Sequence, residues 1–197
     1  MKILVTGGAG FIGTNLIKRL VKEGHKVSSI DNYDSGLVSN HQNGVIYKDD
    51  DITNVHRMPR DFDKIFHLAA LSRIQPSFNN PSETFRVNAL GTQHVLDFAR
   101  NIGAKVVYAG SSSRWHDPYQ SPYAAYKHIG EEVCKMYKKA YGTDVEIARF
   151  YNVYGPGEIV HGDWAAVIGI WRRQAEAHDP ITIVGDGEQR RDFTYVE

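Results

Sequence analysis

The stretch from Met1 to Gly13 restricts this chain more than any other. It reads M-K-I-L-V-T-G-G-A-G-F-I-G, a short apolar run, then Gly7-x-x-Gly10-x-x-Gly13, then the start of an amphipathic segment. A strand that passes through a glycine turn straight into a helix has separate uses for its glycines. One permits the tight turn, one lets the backbone approach a pyrophosphate, and one lets helix and strand pack closely. The helix start then turns its free N–H groups toward the phosphates. For the glycines alone, an ordinary strand-to-helix loop is the competing reading. Asp31 narrows the choice, because it ends the next apolar run, 18 residues beyond Gly13. A carboxylate there accepts hydrogen bonds from an adenosine ribose and repels a 2′-phosphate, which points to NAD rather than NADP.

The rest of the chain repeats the rhythm that this opening begins. Ile3 to Val5, Val27 to Ile30, Val45 to Tyr47, Lys64 to His67, Val106 to Ala109 and Val145 to Ala148 read as strands, mostly apolar as in a parallel sheet covered on both faces. Helices are expected over Phe11–Glu23, Ser82–Asn101 and Ser121–Tyr141, with Gly24, Gly103 and Gly142 as left-handed caps. The succession is α/β, a doubly wound parallel sheet over residues 1–150. Residues 151–197 change character: Asn152 to Gly162 holds three Gly and one Pro, and a helix over Trp164–Trp171 and two short strands should follow, one of them Ile181–Val184. This second region reads as the beginning of a substrate-binding part.

Composition excludes several classes. Lys plus Arg and Asp plus Glu both number 23, so no global field favours nucleic acid or an anionic membrane. The longest apolar runs fall far short of the about 20 residues a membrane helix needs. The N-terminus has no signal-peptide pattern, and the lone Cys134 forms neither an intramolecular disulfide nor a Cys-rich zinc site. A cytoplasmic protein is expected. Asp49-Asp50-Asp51 lacks supporting metal ligands and reads as an acidic turn, with Asp51 and Ile52 placed to meet an adenine.

Tyr123 and Lys127 stand i, i+4 on one helix face. A phenol is a poor base at neutral pH, but a nearby cation stabilises the phenolate and fits it for proton exchange with a sugar hydroxyl. Ser111-Ser112-Ser113 ends a strand and offers a hydroxyl to orient that alcohol; Tyr126 is a decoy for Tyr123.

In this order the motifs resemble the extended short-chain dehydrogenases/reductases, and among them the NAD-dependent sugar-nucleotide epimerase/dehydratase family (UDP-glucose 4-epimerase-like). The matching segments are T-G-G-A-G-F-I-G, Asp31-Asn32, Asp51-Ile52, H-L-A-A at His67 to Ala70, V-N-A-L-G-T at Val87 to Thr92, S-P-Y-A-A-Y-K, A-R-F-Y-N-V-Y-G-P-G, and G-D-G-E-Q-R-R-D-F-T-Y-V. The resemblance implies Ser111, Tyr123 and Lys127 as catalytic residues, with Ser113 as the fallback hydroxyl. It implies cofactor contacts from Gly7, Gly10, Phe11, Ile12, Gly13, Asp31, Asn32, Asp51, Ile52, Leu68, Ala69, Ala70, Asn88 and Tyr151. Ser72, Ser113, Asn152 and Arg191 match positions that contact the nucleotide-sugar, Arg191 on its diphosphate.

Two departures stand out. Tyr123 follows Ser111 by only 12 positions, where relatives carry a longer loop, and the chain stops at T-Y-V-E, where relatives continue. A C-terminally truncated chain with a more mobile segment after Gly155 and weak or absent epimerase activity is expected. Dehydratases of the family carry Asp and Glu after the catalytic Ser/Thr; here stand Ser112 and Ser113. The resemblance therefore implies C4 epimerisation of a UDP-hexose through a transient keto-sugar. The alternatives are a reductase, decarboxylase or dehydratase of the same family, or a non-catalytic NAD-binding module. A homodimer through Ser82–Asn101 and Ser121–Tyr141 is implied too, with Val133, Met136, Tyr137 and Tyr141 as its apolar surface or as core against the chain's own sheet.

Overall fold

In the computed structural model, which describes residues 1–115 and 117–197, the six apolar runs form one parallel sheet. Its strands are β1 (Lys2–Thr6), β2 (Lys26–Asp31), β3 (Ile46–Asp49), β4 (Lys64–His67), β5 (Lys105–Ser111) and β6 (Val145–Phe150). They lie in the order β3-β2-β1-β4-β5-β6. The order reverses between β1 and β4, whose last residues Thr6 and His67 are in register. Crossovers leave in opposite directions at that point, so a crevice opens at the carboxyl ends of the strands.

Side-chain alternation along the strands divides the core in two. Leu4 joins Ile30, Ile65, Val106 and Tyr108 on one face, while Ile3 and Val5 join Val27 on the other. Helix α1 (Phe11–Lys22) covers the second face through Ile17 and Leu20. The first face is covered by a 3-10 turn (Ile52–Arg57) and by the helices that follow β4 and β5.

The expected helix over Ser82–Asn101 is divided. Helix α2 (Ile74–Asn79), unforeseen from the sequence, is followed by α3 (Pro81–Phe85), a π-helical turn (Arg86–Leu90) and α4 (Gly91–Ile102). Gly91 lies against Ile52, where an added Cβ would come within 2.7 Å of the isoleucine methyl. Helix α5 (Pro122–Tyr141) begins at Ser121, whose Oγ accepts the Ala124 N–H at 3.1 Å, and stops at Gly142 with φ of 68°. Of the four α5 residues expected on a dimer surface, Tyr137 is core, 3% exposed, and Val133 packs against the same cluster. Met136 and Tyr141 face outward.

After Phe150 the chain leaves the sheet. β7 (Val153–Tyr154) pairs in parallel with β8 (Thr194–Tyr195), and α6 (Val167–Glu176) lies between them in sequence. α6 starts three residues later than Trp164, because the Trp164 carbonyl is engaged by Arg73 instead of a helical N–H. No strand forms at Ile181–Val184. The Thr182 backbone is bonded on both sides by side chains of α6, N–H to Gln174 Oε1 and C=O from Trp171 Nε1.

Candidate active site

Three glycines shape the floor of the crevice. Gly7 has φ of 72°, and a Cβ on it would lie 2.8 Å from the Ala69 nitrogen. A Cβ on Gly13 would lie 2.2 Å from the Gly7 carbonyl oxygen. Only hydrogen fits at either position, so α1 is drawn close under the turn. The first i→i−4 bond of α1 is Thr14 N–H to Gly10 O, at 2.9 Å. The amides of Phe11, Ile12 and Gly13 precede it, no side chain caps them, and no acidic residue stands in the first turn. That is a ready anion site. Beside it, Asp31 accepts the Ala9 N–H at 2.8 Å and the Tyr33 N–H at 2.9 Å. A carboxylate has about four lone-pair sites, so acceptor capacity remains.

A chain of hydrogen bonds of one polarity holds the opposite wall. Thr6 Oγ1 accepts the backbone N–H groups of Leu68 (3.2 Å) and Ala69 (3.1 Å), which occupy both its lone pairs. Its own proton therefore goes to His67 Nδ1, at 2.8 Å. With Nδ1 accepting, neutral His67 carries its proton on Nε2 and donates to Thr92 Oγ1 at 3.0 Å; Thr92 donates onward to the Asn88 carbonyl at 2.7 Å. Asn88 then clamps Leu71, accepting its N–H and donating to its C=O, both at 2.9 Å. Burial and the nearby Lys127 charge push the His67 pKa down to about 3, in accord with a neutral ring. Asn88 thus lies behind the wall formed by residues 68–71 and outside the cleft lining.

The cleft itself encloses about 920 Å³, at the upper end of the roughly 300–1,000 Å³ usual for small-molecule sites. Its lining includes Gly7, Gly10, Phe11, Ile12, Gly13, Asp31, Asn32, Asp51, Ile52, Leu68, Ala69, Ala70, Ser72, Ser111, Ser113, Tyr123, Lys127, Asn152 and Arg191. Nearly all residues expected at a site are brought to one opening. Tyr151 lies outside it, its hydroxyl accepting the Trp115 Nε1–H at 2.7 Å. Asp51 reaches the opening with its carboxylate already held, bidentate by Arg86 at 2.7 Å and by Thr53. Arg86 holds the Asp51 carboxyl well below the usual carboxylate range.

At the far end, Tyr123 Oη donates to Ser111 Oγ at 3.3 Å, and Ser111 Oγ also accepts Ser113 Oγ at 2.9 Å. The Ser77 hydroxyl on α2 accepts the Tyr123 N–H at 3.1 Å, docking α2 on the start of α5. Burial raises the Tyr123 phenol above its ordinary pKa and outweighs the opposing pull of the Ser111 hydrogen bond and the Arg73 charge; Lys127, the cation expected from the sequence to favour the phenolate, is not among the charges that lower it. Lys127 is 5% exposed; its Nζ donates to the Ala109 carbonyl at 2.6 Å and lies 4.4 Å from the Tyr108 ring centre. Desolvation brings its pKa down to about 8. One helix turn further, buried Glu131 pairs with Arg149 at 2.8 Å.

Sequence reading missed Arg73, the Thr6–His67–Thr92 chain and the Glu131–Arg149 pair. Position in a motif flagged His67, but its partners Thr6 and Thr92 come from two separate elements and have no common spacing.

Comparison with known proteins follows this geometry. Residues 3–197 match the model of the NAD dependent epimerase/dehydratase family. UDP-glucuronic acid decarboxylase 1 of Xenopus tropicalis is 31% identical over 99% of this chain and 51% of its own length. Among solved structures, UDP-glucose 4-epimerase of Thermotoga maritima with UDP-glucose superposes with a TM-score of 0.93 at 29% identity, over 100% of this chain and 70% of that one. UDP-glucose 4-epimerase of Thermus thermophilus, in complex with NAD, gives 0.89 at 31% identity, over 100% of this chain and 71% of that one. The chain thus spans about half the length of the decarboxylase it matches.

Proposed function

Because the chain belongs to the NAD dependent epimerase/dehydratase family, we propose that it epimerises a nucleotide-sugar, a UDP-hexose, at C4. The family is NAD-dependent, and the residues fit that cofactor: the glycine turn, the uncapped start of α1 and the Asp31 carboxylate lie along one side of the cleft. Bound along that side of the cleft by the glycine turn, the α1 start and Asp31, NAD would supply a reversible hydride acceptor.

The chain's own residues handle the proton. Tyr123 Oη is the group that removes and returns the C4 hydroxyl proton, and Ser111 Oγ, 3.3 Å away, orients that hydroxyl. Lys127 supplies a buried positive charge behind them. The observation that carries the reading is the Tyr123–Ser111 contact opening on the same cleft as the glycine turn. Ser112 and Ser113 stand where a dehydratase would need an acid and a base, which favours epimerisation over elimination of water. Ser72, Asn152 and Arg191 line the same opening and are proposed to hold the nucleotide-sugar.

The outward residues Met136 and Tyr141 of α5, with Phe85 of α3 and Leu90 of the π-helical turn, are proposed to form the face of a homodimer.

The test is interconversion of UDP-glucose and UDP-galactose by the purified chain. Tyr123→Phe should lower turnover by roughly 10²–10⁴-fold with NAD affinity unchanged, while Tyr126→Phe should be mild. Near-wild-type turnover by Tyr123→Phe would refute the reading.

A further inference from the structure

Ser113 takes no step in the chemistry described above, yet both of its donors point at Ser111. Its N–H reaches Ser111 Oγ at 3.2 Å and its hydroxyl reaches the same oxygen at 2.9 Å. Tyr123 Oη, at 3.3 Å, makes the third and longest contact. A serine oxygen has two lone pairs and carries one proton. With the phenol neutral, three donors crowd an oxygen that accepts two. With the phenol ionised, Tyr123 Oη only accepts, and the three contacts take three protons without conflict. Both Ser113 groups then donate to Ser111, and Ser111 donates to Tyr123. The turn that carries Ser113 is a 3-10 turn (Ser112–Trp115) directly after β5, and it is anchored on its far side. Arg114 Nε lies 3.8 Å from the buried Glu131 carboxylate of α5, which Arg149 of β6 holds at 2.8 Å. Gly110 makes room for that carboxylate, since a Cβ there would come within 2.8 Å of Glu131 Oε1. Trp115 donates to the Tyr151 hydroxyl at 2.7 Å, and its ring centre lies 5.6 Å from the Arg149 guanidinium carbon. Anchors on α5 and β6 therefore set where Ser113 stands beside Ser111.

We infer that Ser113 is a positioning residue acting through Ser111: by filling both lone pairs of Ser111 Oγ, it commits the single Ser111 proton to Tyr123 Oη, or to the C4 oxygen of a sugar that takes its place. This rests on the Tyr123–Ser111 reading of the site. A C4 hydroxyl that gives up its proton gathers negative charge on its oxygen, and a donor already aimed there stabilises that charge without turning. A serine free to accept as well as donate would divide its time between the two orientations. The bonds run in one direction, from Ser113 through Ser111 to the acceptor, and each hydroxyl polarises the next when the last acceptor is an anion. The Ser113 hydroxyl therefore favours the ionised phenol over the neutral one.

The phenol at position 123 reports this arrangement without any need for turnover. Difluorotyrosine incorporated at that position ionises closer to neutral pH than tyrosine does, and fluorine NMR follows its titration in the chain with NAD present. In that background Ser113→Val should raise the phenol pKa by roughly 0.5–1 pH unit, the scale of one net hydrogen bond. Ser113→Thr has the same shape as Ser113→Val but keeps a hydroxyl, and should stay near the wild-type value. Ser113→Ala, which adds no branch to the turn, should shift as Ser113→Val does. An unmoved or lowered pKa in both Ser113→Val and Ser113→Ala overturns the inference. An equal shift in Ser113→Thr also overturns it, by marking the effect as steric. Near-wild-type turnover by Tyr123→Phe refutes the catalytic reading instead, and removes the positioning role even where the titration shifts as expected.

Discussion

His67 is the residue whose protonation the surrounding chain specifies most tightly. A second ring proton would face the proton that Thr6 must donate, and Lys127 adds its positive charge nearby. The ring of Tyr108 packs against it, with centres 5.6 Å apart. Nitrogen-detected NMR should show a neutral ring protonated on Nε2 through pH 5. Because the folded pKa is lowered to about 3 against 6.5 for a free histidine, the unfolded chain binds the extra proton first as pH falls. Stability therefore drops below pH 6.5, by about 2 kcal/mol at pH 5 from this group. Urea denaturation at pH 7 and pH 5 should show that slope, flattened in His67→Gln. Lys127 has the opposite limb: with a folded pKa of about 8 against 10.5 unfolded, its burial penalty is full below pH 8 and is relieved toward pH 10.5. Of these residues Lys127 was legible, since its partner is four positions away on one helix. His67 and Arg73 were not, because what defines them is the absence or presence of partners contributed by distant segments.

At the scale of elements, α5 is the piece on which the site depends. It carries Tyr123 and Lys127 on one face and must lie close to β5. Gly130 permits that approach: a Cβ there would come within 2.3 Å of the Tyr108 hydroxyl and 3.2 Å of the Asn88 carbonyl. Tyr108 is 1% exposed and has no room to retreat. Gly130→Ala should cost ~1–3 kcal/mol of stability, as overpacking in a filled core does, although Ala is the better helix former. A stabilised variant in chemical denaturation would contradict this packing. The start and end of α5 were readable from Ser121 and Gly142, because caps are local. The division of the expected helix over Ser82–Asn101 was not. Its apolar period continues through the π-helical turn, and the close contact of Gly91 with Ile52 joins segments far apart in the chain.

Across the whole molecule, two expectations concern binding surfaces. Titration with both cofactors should favour NAD over NADP, because the proposed role of the Asp31 carboxylate beside the glycine turn makes it repel a 2′-phosphate; tighter NADP binding would contradict that role. Light scattering at tens of micromolar should give a dimer, and Met136→Asp should dissociate it with the fold intact, since Met136 is exposed on the monomer. A monomeric wild type would leave that face without the proposed partner. The sequence by itself determined the doubly wound sheet, its order of motifs, the glycine turn, Asp31 and the Tyr123–Lys127 pair. These rest on chain-local causes: side-chain period, turn conformation, caps and short fixed spacings. Only the tertiary structure decided that Tyr137 is core rather than surface and that Asp51 is held by Arg86. It also decided the proton position on His67 and left Arg73 in the cleft wall with no paired carboxylate among the described residues. Each of those depends on which groups from distant segments meet in a low-dielectric interior, where the cost of an unpaired charge or polar atom is set by neighbours that no local pattern encodes.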